Sequence, residues 1–333
     1  MKKIRLGVCG AGLCAQLFHL PALQKTADIF EPVAVCSATE EQCADYAKKL
    51  GVAMQYFTDW KQLVAFPDVE AILCSFPYFL SDQIIKECVK QKKHLLIEKP
   101  LCDNTAAANE LAALDLGDTV VGVAENWIYF PAVQEARKVI ASGEIGELRA
   151  AYITSLYEME LDSDWLTKTT WRKTAKGGMI LDRAIHQVAF ERAVVGDVAE
   201  ACGLIQSVRP VLGKADTMFT VFRHSNGVIG SLNVCASSGN LETDHGMAFV
   251  GTEGTLKIGG FMTDFMIHGK NGDRSYKVDN GDGGYEAELR DFHAAITTGK
   301  ELESSLHKAA MDLNTALAPL EQPGQWLKLI LED

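Results

Sequence analysis

Ile4-Arg5-Leu6-Gly7-Val8-Cys9-Gly10-Ala11-Gly12-Leu13-Cys14-Ala15 is the stretch that decides the fold. Ile4 to Cys9 is a short apolar run of strand length that stops at glycine, and the pattern after the turn is helical to about Gln24. Between strand and helix lies a G-x-G-x-x-A turn. Its first glycine permits the tight bend, its second lets the backbone approach a pyrophosphate, and the small third residue lets helix and strand pack closely. The pyrophosphate would then rest on the helix N-terminus, beside Leu13 and Cys14. Glycine turns are common in α/β proteins, so the meaning of this one depends on the chain beyond it.

The next hundred residues repeat the unit. Pro32 to Cys36 reads as a second strand, Glu40 to Leu50 as an amphipathic helix and Ala71 to Ser75 as a third strand. Leu80 to Gln91 is helical, His94 to Glu98 is a fourth strand, Leu101 to Leu114 is helical, and Thr119 to Ala124 closes the set. Short strands alternating with helices predict right-handed crossovers and a doubly wound parallel sheet. Residues 1–124 are therefore expected to form a dinucleotide-binding α/β domain of the Rossmann type. After residue 147 the runs lengthen and partly alternate: Leu148 to Tyr157, Cys202 to Val208, Thr217 to Arg223, Val228 to Val234, then Met247 to Gly251, Gly254 to Ile258 and Asp264 to His268. Ser225-Asn226-Gly227 is a hairpin signal. Residues 125–333 are expected to form an α+β domain with a large, mostly antiparallel open sheet and a helix at Gly178 to Val194. Two further helices are expected at Tyr285 to Thr297 and Ser304 to Leu317, with loops at Asn271-Gly272 and Asn280 to Gly284.

The 333 residues suffice for two domains, and 47% apolar with 23% charged residues is ordinary for a globular chain. A formal net charge of −12 argues against nucleic acid or an anionic membrane as partner. No run approaches the roughly 18 apolar residues of a membrane span. The apolar stretch after Met1-Lys2-Lys3 is broken by Gly7, Gly10 and Gly12, unlike a signal peptide. The nine cysteines are odd in number and lack the two-residue gap of a zinc or redox motif. Reduced thiols in a cytoplasmic protein, with no metal, are the expectation.

A dinucleotide-binding domain of this type commonly ends its second strand on a carboxylate that holds the ribose 2′-hydroxyl. Here that place reads Cys36-Ser37-Ala38-Thr39, with neither a carboxylate nor the arginine that receives a 2′-phosphate. The hydroxyls of Ser37 and Thr39 can bond either group, or Ser37 simply begins a turn. Lacking a carboxylate removes one source of repulsion toward a phosphate, a slight lean toward NADP over NAD.

Glu98-Lys99-Pro100 ends the fourth strand, and ligands of open α/β sheets bind beyond the carboxyl ends of the strands. Lys99 is thus placed where a nicotinamide ring would lie, although most lysines after strands are plain surface groups. Asp182 and His186 are four residues apart, so on a helix they share a face and converge on one ligand. An imidazole there is suited to exchanging a proton with a hydroxyl or carbonyl near neutral pH, with the carboxylate orienting it. The plain alternative is a satisfied, partly buried histidine.

Taken in order, the Gly10 turn, Ser75-Phe76-Pro77, Glu98-Lys99-Pro100 and Glu125-Asn126-Trp127 make a longer pattern. It continues through Trp171-Arg172, Gly177-Gly178-Met179-Ile180-Leu181-Asp182 with His186, and Gly251-Thr252-Glu253-Gly254. This order resembles the glucose–fructose oxidoreductase, inositol dehydrogenase and rhizopine-catabolism (Gfo/Idh/MocA) family, over residues 4 to about 320. The resemblance implies Lys99, Asp182 and His186 as catalytic positions. It places Phe76, Pro77, Glu98, Lys99 and Asn126 near the cofactor, and Trp171 and Arg172 near nicotinamide and substrate. Two departures stand out: Tyr78-Phe79-Leu80-Ser81 where relatives often carry Asn and His, and Arg183-Ala184-Ile185 where a glycine is common. The first touches the ribose contacts, and the second implies a distinct substrate pocket.

The expected activity is reversible hydride transfer between nicotinamide and a hydroxyl-bearing carbon of a sugar, sugar acid or cyclic polyol. The alternatives are a glycosidase-like enzyme of the same family that retains its NAD, and a dinucleotide-binding sensor or corepressor without catalysis. Alternating apolar positions, Val228-Gly230-Leu232-Val234 and Met218-Thr220-Phe222, give the second sheet one face for a core and one for a subunit contact. A homodimer or homotetramer through that sheet is expected.

Overall fold

The computed structural model describes residues 3–169, 177–239 and 244–329, folded as two compact units. The first comprises Met1–Cys102, Ala106–Asn126 and Gly284–Ala310. Its six strands are β1 (Ile4–Cys9), β2 (Phe30–Cys36), β3 (Gln55–Phe57), β4 (Ala71–Cys74), β5 (His94–Glu98) and β6 (Val121–Ala124). They pair in the order β3-β2-β1-β4-β5-β6, all parallel. The order reverses between β1 and β4, and this opens a crevice at the carboxyl ends of those two strands. Cys9 is level with Cys36 on one side and Cys74 on the other, three buried free thiols abreast beneath the glycine turn.

Local chemistry explains the helices. Glu40–Leu50 begins at Thr39, whose Oγ1 accepts from Gln42 N (3.3 Å), and ends at Gly51 with φ +77°. Its acidic first turn and basic last turn oppose the helix dipole. The short β3 and the helix Trp60–Ala65 lie outside the elements expected from sequence, since three half-exposed residues carry no periodic signal.

Tyr285–Thr298, a helix near the chain's end, returns to this first unit. Leu289, Phe292 and Ala295 share one core with Leu6, Val8 and Phe30. Further on, Leu302 lies so close to Gly122 that a Cβ there would fall 2.1 Å from the leucine Cδ2. A single division after residue 124 thus describes the order of the chain, while in space 284–310 belongs with the parallel sheet. Apolar contacts at large sequence separation made that choice.

The second unit comprises Asp103–Thr105, Trp127–Gly283 and Met311–Asp333. It holds β7 (Leu148–Leu156), β8 (Val198–Gln206), β9 (Thr217–His224), β10 (Ile229–Cys235), β11 (Asp244–Gly251), β12 (Thr255–Gly259), β13 (Asp264–Gly269), β14 (Gly272–Lys277) and β15 (Leu327–Lys328). The order is β14-β13-β12-β11-β7-β10-β9-β8-β15. All neighbours are antiparallel except β7 and β10, so the sheet is mostly, not wholly, antiparallel. The β9–β10 hairpin turns where expected, with Gly227 at φ +88°. Asn271-Gly272, read as a loop, is the tip of a second hairpin whose outer strand, β14, is exposed and polar. An edge strand of that kind has no apolar alternation to read.

Along β9 the residues Met218, Thr220, Phe222 and His224 are buried while Phe219, Val221 and Arg223 are exposed. One face of the sheet is therefore core. The helix Gly178–Val195 belongs to this unit, and Arg192 near its end is fixed by a bidentate, buried ion pair with Asp312 (2.6 and 2.9 Å). No described helix is long and apolar enough to cross a membrane.

Candidate active site

In the first unit the sequence-selected residues fall at the carboxyl ends of the parallel strands. Gly10 comes after β1, Ser37 after β2, Phe76 and Pro77 after β4, Lys99 after β5 and Asn126 after β6. The two glycines of the turn have different reasons to be glycine. Gly10 has φ +104°, and a Cβ on it would lie 3.1 Å from the backbone carbonyl of Ser75 and 3.2 Å from the Phe76 ring. The fold itself demands that glycine. Gly12 is exposed, has no left-handed φ, and a Cβ on it would meet nothing within 4 Å. Nothing among the described residues needs a glycine there; a pyrophosphate drawn close to the backbone does. The turn therefore fits a dinucleotide. The helical run beyond it opens as a π-helix, Ala15–His19, before continuing as Leu20–Lys25.

Glu98 ties the turn to the end of β5. Its Oε1 accepts from His19 Nε2 (2.7 Å) and from the Cys14 thiol (3.0 Å), and its Oε2 accepts from the backbone N–H of Lys99 (3.1 Å). Burial alone would raise the Glu98 pKa. The His19 hydrogen bond, the charges of His19 and Lys99, and the Cys14 thiol outweigh it and hold the carboxyl below its ordinary value. Both oxygens are thus engaged within the protein, which makes Glu98 the residue that positions Lys99 and Cys14. His19 is absent from the residues selected by sequence; a histidine inside an otherwise apolar helical run is the available signal.

At the end of β2, Ser37 is buried and donates its hydroxyl to Gln42 Oε1 (2.7 Å), while Thr39 caps the next helix. Each has a structural task. Ser37 keeps lone pairs that accept a bond, and Thr39 keeps a hydroxyl proton to donate.

The second unit carries the other group. From Gly178 to Arg192 the helix is buried at every residue except Asp182, Arg183 and His186. Positions i, i+1 and i+4 lie on one face, so a single polar window opens in an otherwise enclosed helix. The helix can start where it does because Gly178 takes φ +56° and because a Cβ on Gly177 would collide with Leu181. The His186 ring stacks on Trp127, with centroids 5.1 Å apart and planes 14° from parallel. Arg183 lies over three aromatic faces: Trp127 at 5.5 Å, and Tyr157 and Phe261 at 5.7 Å. Burial pulls the Arg183 pKa down, opposed by Tyr157 and Asp182, and burial pushes the Tyr157 phenol up to about 12. Arg183, Tyr157 and Phe261 are not among the site residues selected from sequence, although the departure at 183–185 points to the first. Trp171 and Arg172 lie outside the described residues.

Family models identify the same two halves. Residues 4–120 match the model of an oxidoreductase family with an NAD-binding Rossmann fold, and residues 133–257 match the Gfo/Idh/MocA C-terminal domain. The chain belongs to the Gfo/Idh/MocA family. As a member it is a nicotinamide-dependent dehydrogenase or reductase. It is 29% identical to the 1,5-anhydro-D-fructose reductase of Ensifer adhaerens over 326 residues, 94% of either chain. Its fold superposes on an oxidoreductase from Thermotoga maritima with a TM-score of 0.88 at 25% identity, covering 98% of this chain and 99% of that one. A levoglucosan dehydrogenase solved with NADH and levoglucosan gives 0.85 at 22% identity, over 98% of this chain and all of the other, a likeness of fold.

Proposed function

We propose that this enzyme moves a hydride between nicotinamide and a hydroxyl-bearing carbon of a sugar, sugar acid or cyclic polyol, with Lys99, Asp182 and His186 as its catalytic groups. The observation that carries the proposal is the polar window on the buried helix, where the two residues expected to converge are two of the three left accessible. Bound NAD or NADP would accept or return the hydride. In the oxidative direction the hydroxyl proton must also leave, and either His186 or Lys99 takes it. Asp182 orients the imidazole, and Lys99 stabilises developing alkoxide charge. The unit built on the parallel sheet would hold the dinucleotide, through Gly10, Gly12, Leu13, Cys14, Ser37, Thr39, Phe76, Pro77, Glu98, Lys99 and Asn126. Trp171 and Arg172 would join Lys99, Asp182 and His186 in binding substrate.

A panel of sugars, sugar acids and polyols with NAD and with NADP tests this, read by the absorbance of reduced nicotinamide. Net NAD(P)H formation with one chemical class is the expected result. Substrate cleavage without net NAD(P)H would replace the proposal by the NAD-retaining glycosidase reading, and tight dinucleotide binding without turnover by the sensor. The same panel compares the dinucleotides. A strand end without a carboxylate favours NADP, so a lower KM for NADP is expected, and a lower KM for NAD would reverse that preference.

The exposed face of the second sheet carries Phe219, Val221 and Ile229, each 45–50% exposed, together with Leu204 and Tyr152. An apolar face of that kind supports a homodimer or homotetramer joined through it. Sedimentation at micromolar concentration is expected to give a dimer or tetramer that Phe219→Glu with Val221→Glu dissociates; a monomeric parent chain would refute it. Buried free thiols support a reducing, cytoplasmic setting.

A further inference from the structure

Arg183 is an unusual arginine. It is half-buried, and among the described residues its one hydrogen bond is a long contact from Nε to Ser155 Oγ, 3.4 Å. No carboxylate of the described residues forms an ion pair with it, and Asp182, its neighbour in sequence, acts on it only through the field. Its terminal nitrogens, four N–H donors in a planar fork, therefore lack partners among the described side chains. What surrounds the guanidinium instead is aromatic: Trp127, Tyr157 and Phe261. Aromatic faces attract the cation but leave its in-plane donors unsatisfied.

The third wall is held under strain. Phe261 and its neighbour Met262 have φ of +57° and +67°, the left-handed region that bulky side chains avoid. Two consecutive non-glycine residues in that conformation, after Gly259-Gly260, place the Phe261 ring 5.7 Å from the guanidinium. Strain of this kind concentrates where a ligand is clamped. The same helix turn presents Asp182 and His186, and His186 shares the Trp127 ring that forms one wall of the cage.

From this geometry we infer that Arg183 is the specificity residue for an acidic substrate: its fork receives the carboxylate of a polyhydroxy acid whose reacting hydroxyl lies at Asp182 and His186. A partly desolvated cation with no ion-pair partner among the described residues is completed by one anionic group, and the fork matches a carboxylate in two parallel hydrogen bonds. A single guanidinium balances a single negative charge. This rests on the proposed dehydrogenase reading and narrows it from sugars and polyols to sugar acids.

The test is calorimetric titration of the dinucleotide-loaded enzyme with matched pairs that differ in the acid group: D-gluconate with D-glucitol, D-galactonate with galactitol, D-glucuronate with D-glucose, and D-galacturonate with D-galactose. At least one carboxylate is expected to bind about 10-fold or more tightly than its neutral counterpart, the effect of a charged hydrogen-bonding pair. Arg183→Gln is expected to abolish that preference, and Arg183→Lys, which keeps charge but loses the fork, to keep part of it, both with a smaller loss of affinity for the neutral compound than for the carboxylate. The inference is overturned if no carboxylate is preferred, if the preference survives in Arg183→Gln, or if D-glucose 6-phosphate binds more tightly than every carboxylate. Failure of the two readings is separable. Arg183-dependent binding without turnover would sink the dehydrogenase and keep the anion site, whereas turnover with no carboxylate preferred over its neutral counterpart would do the reverse.

Discussion

Lys99→Met and His186→Ala are each expected to lower kcat by about 100-fold or more, the low end of what a positioned general acid or base contributes. Cofactor affinity is expected to change little in His186→Ala, and far less than turnover in Lys99→Met, where one of many contacts to the dinucleotide is lost. The structure makes Lys99→Met a clean substitution, because the backbone at Lys99 is fixed through its N–H to Glu98, and Glu98 is anchored by His19 and Cys14. Removing the ammonium leaves that anchor intact. His186 is less simple, since its ring also stacks on Trp127 and an alanine would uncover that face. His186→Phe keeps an aromatic ring on the indole but cannot carry a proton. If His186→Phe matches His186→Ala in lost turnover, proton transfer or hydrogen bonding at the imidazole is the cause. If His186→Phe restores most of the rate, the ring matters only as packing. Steady-state kinetics with the best substrate of the panel, and fluorescence titration with NAD(P)H, supply both readouts. Near-normal turnover in Lys99→Met removes that residue from the catalytic set.

The second large effect separates the two glycines of the turn. Gly12→Val is expected to raise the dinucleotide dissociation constant by about 100-fold or more while the melting temperature stays within error, because its side chain enters open space rather than protein. Gly10→Val is expected to lower stability itself. A β-branched residue at φ +104° costs on the order of 1–3 kcal/mol in backbone strain alone. The 3.1 Å approach to the Ser75 carbonyl, which is backbone and yields little, adds to it. Thermal unfolding and cofactor titration on the two variants measure this difference. Normal cofactor binding by Gly12→Val would mean that the space beside Gly12 belongs to no pyrophosphate, and the dinucleotide assignment of the turn would fail.

Much of this was legible from the order of residues because the signals were local. A buried parallel strand must be apolar along its length, so β1, β2, β4, β5 and β6 announce themselves. The four-residue spacing of Asp182 and His186, with the family resemblance, marks that pair on one helical face. A hairpin announces itself through Asn226-Gly227. The elements that escaped were those whose stability is borrowed: β3 is three residues long, and β14 is polar and lies at an edge. Pro131–Ala141 is a different case, a helix outside the expected elements although its apolar stripe, Ala132, Val133, Ala136 and Val139, is readable.

By itself, then, the sequence determined the doubly wound sheet, the strand-end positions of Gly10 and Lys99, and the shared helical face of Asp182 and His186. Periodicity and turn chemistry act over a few residues and are written in the chain. Only tertiary structure returned 284–310 to the first unit, turned β7 and β10 parallel, and bound Glu98 to His19 and Cys14. It alone closed three aromatic rings from distant segments over Arg183. Those outcomes depend on which surfaces meet across long stretches of chain, where packing and charge compensation decide and no local pattern records the result.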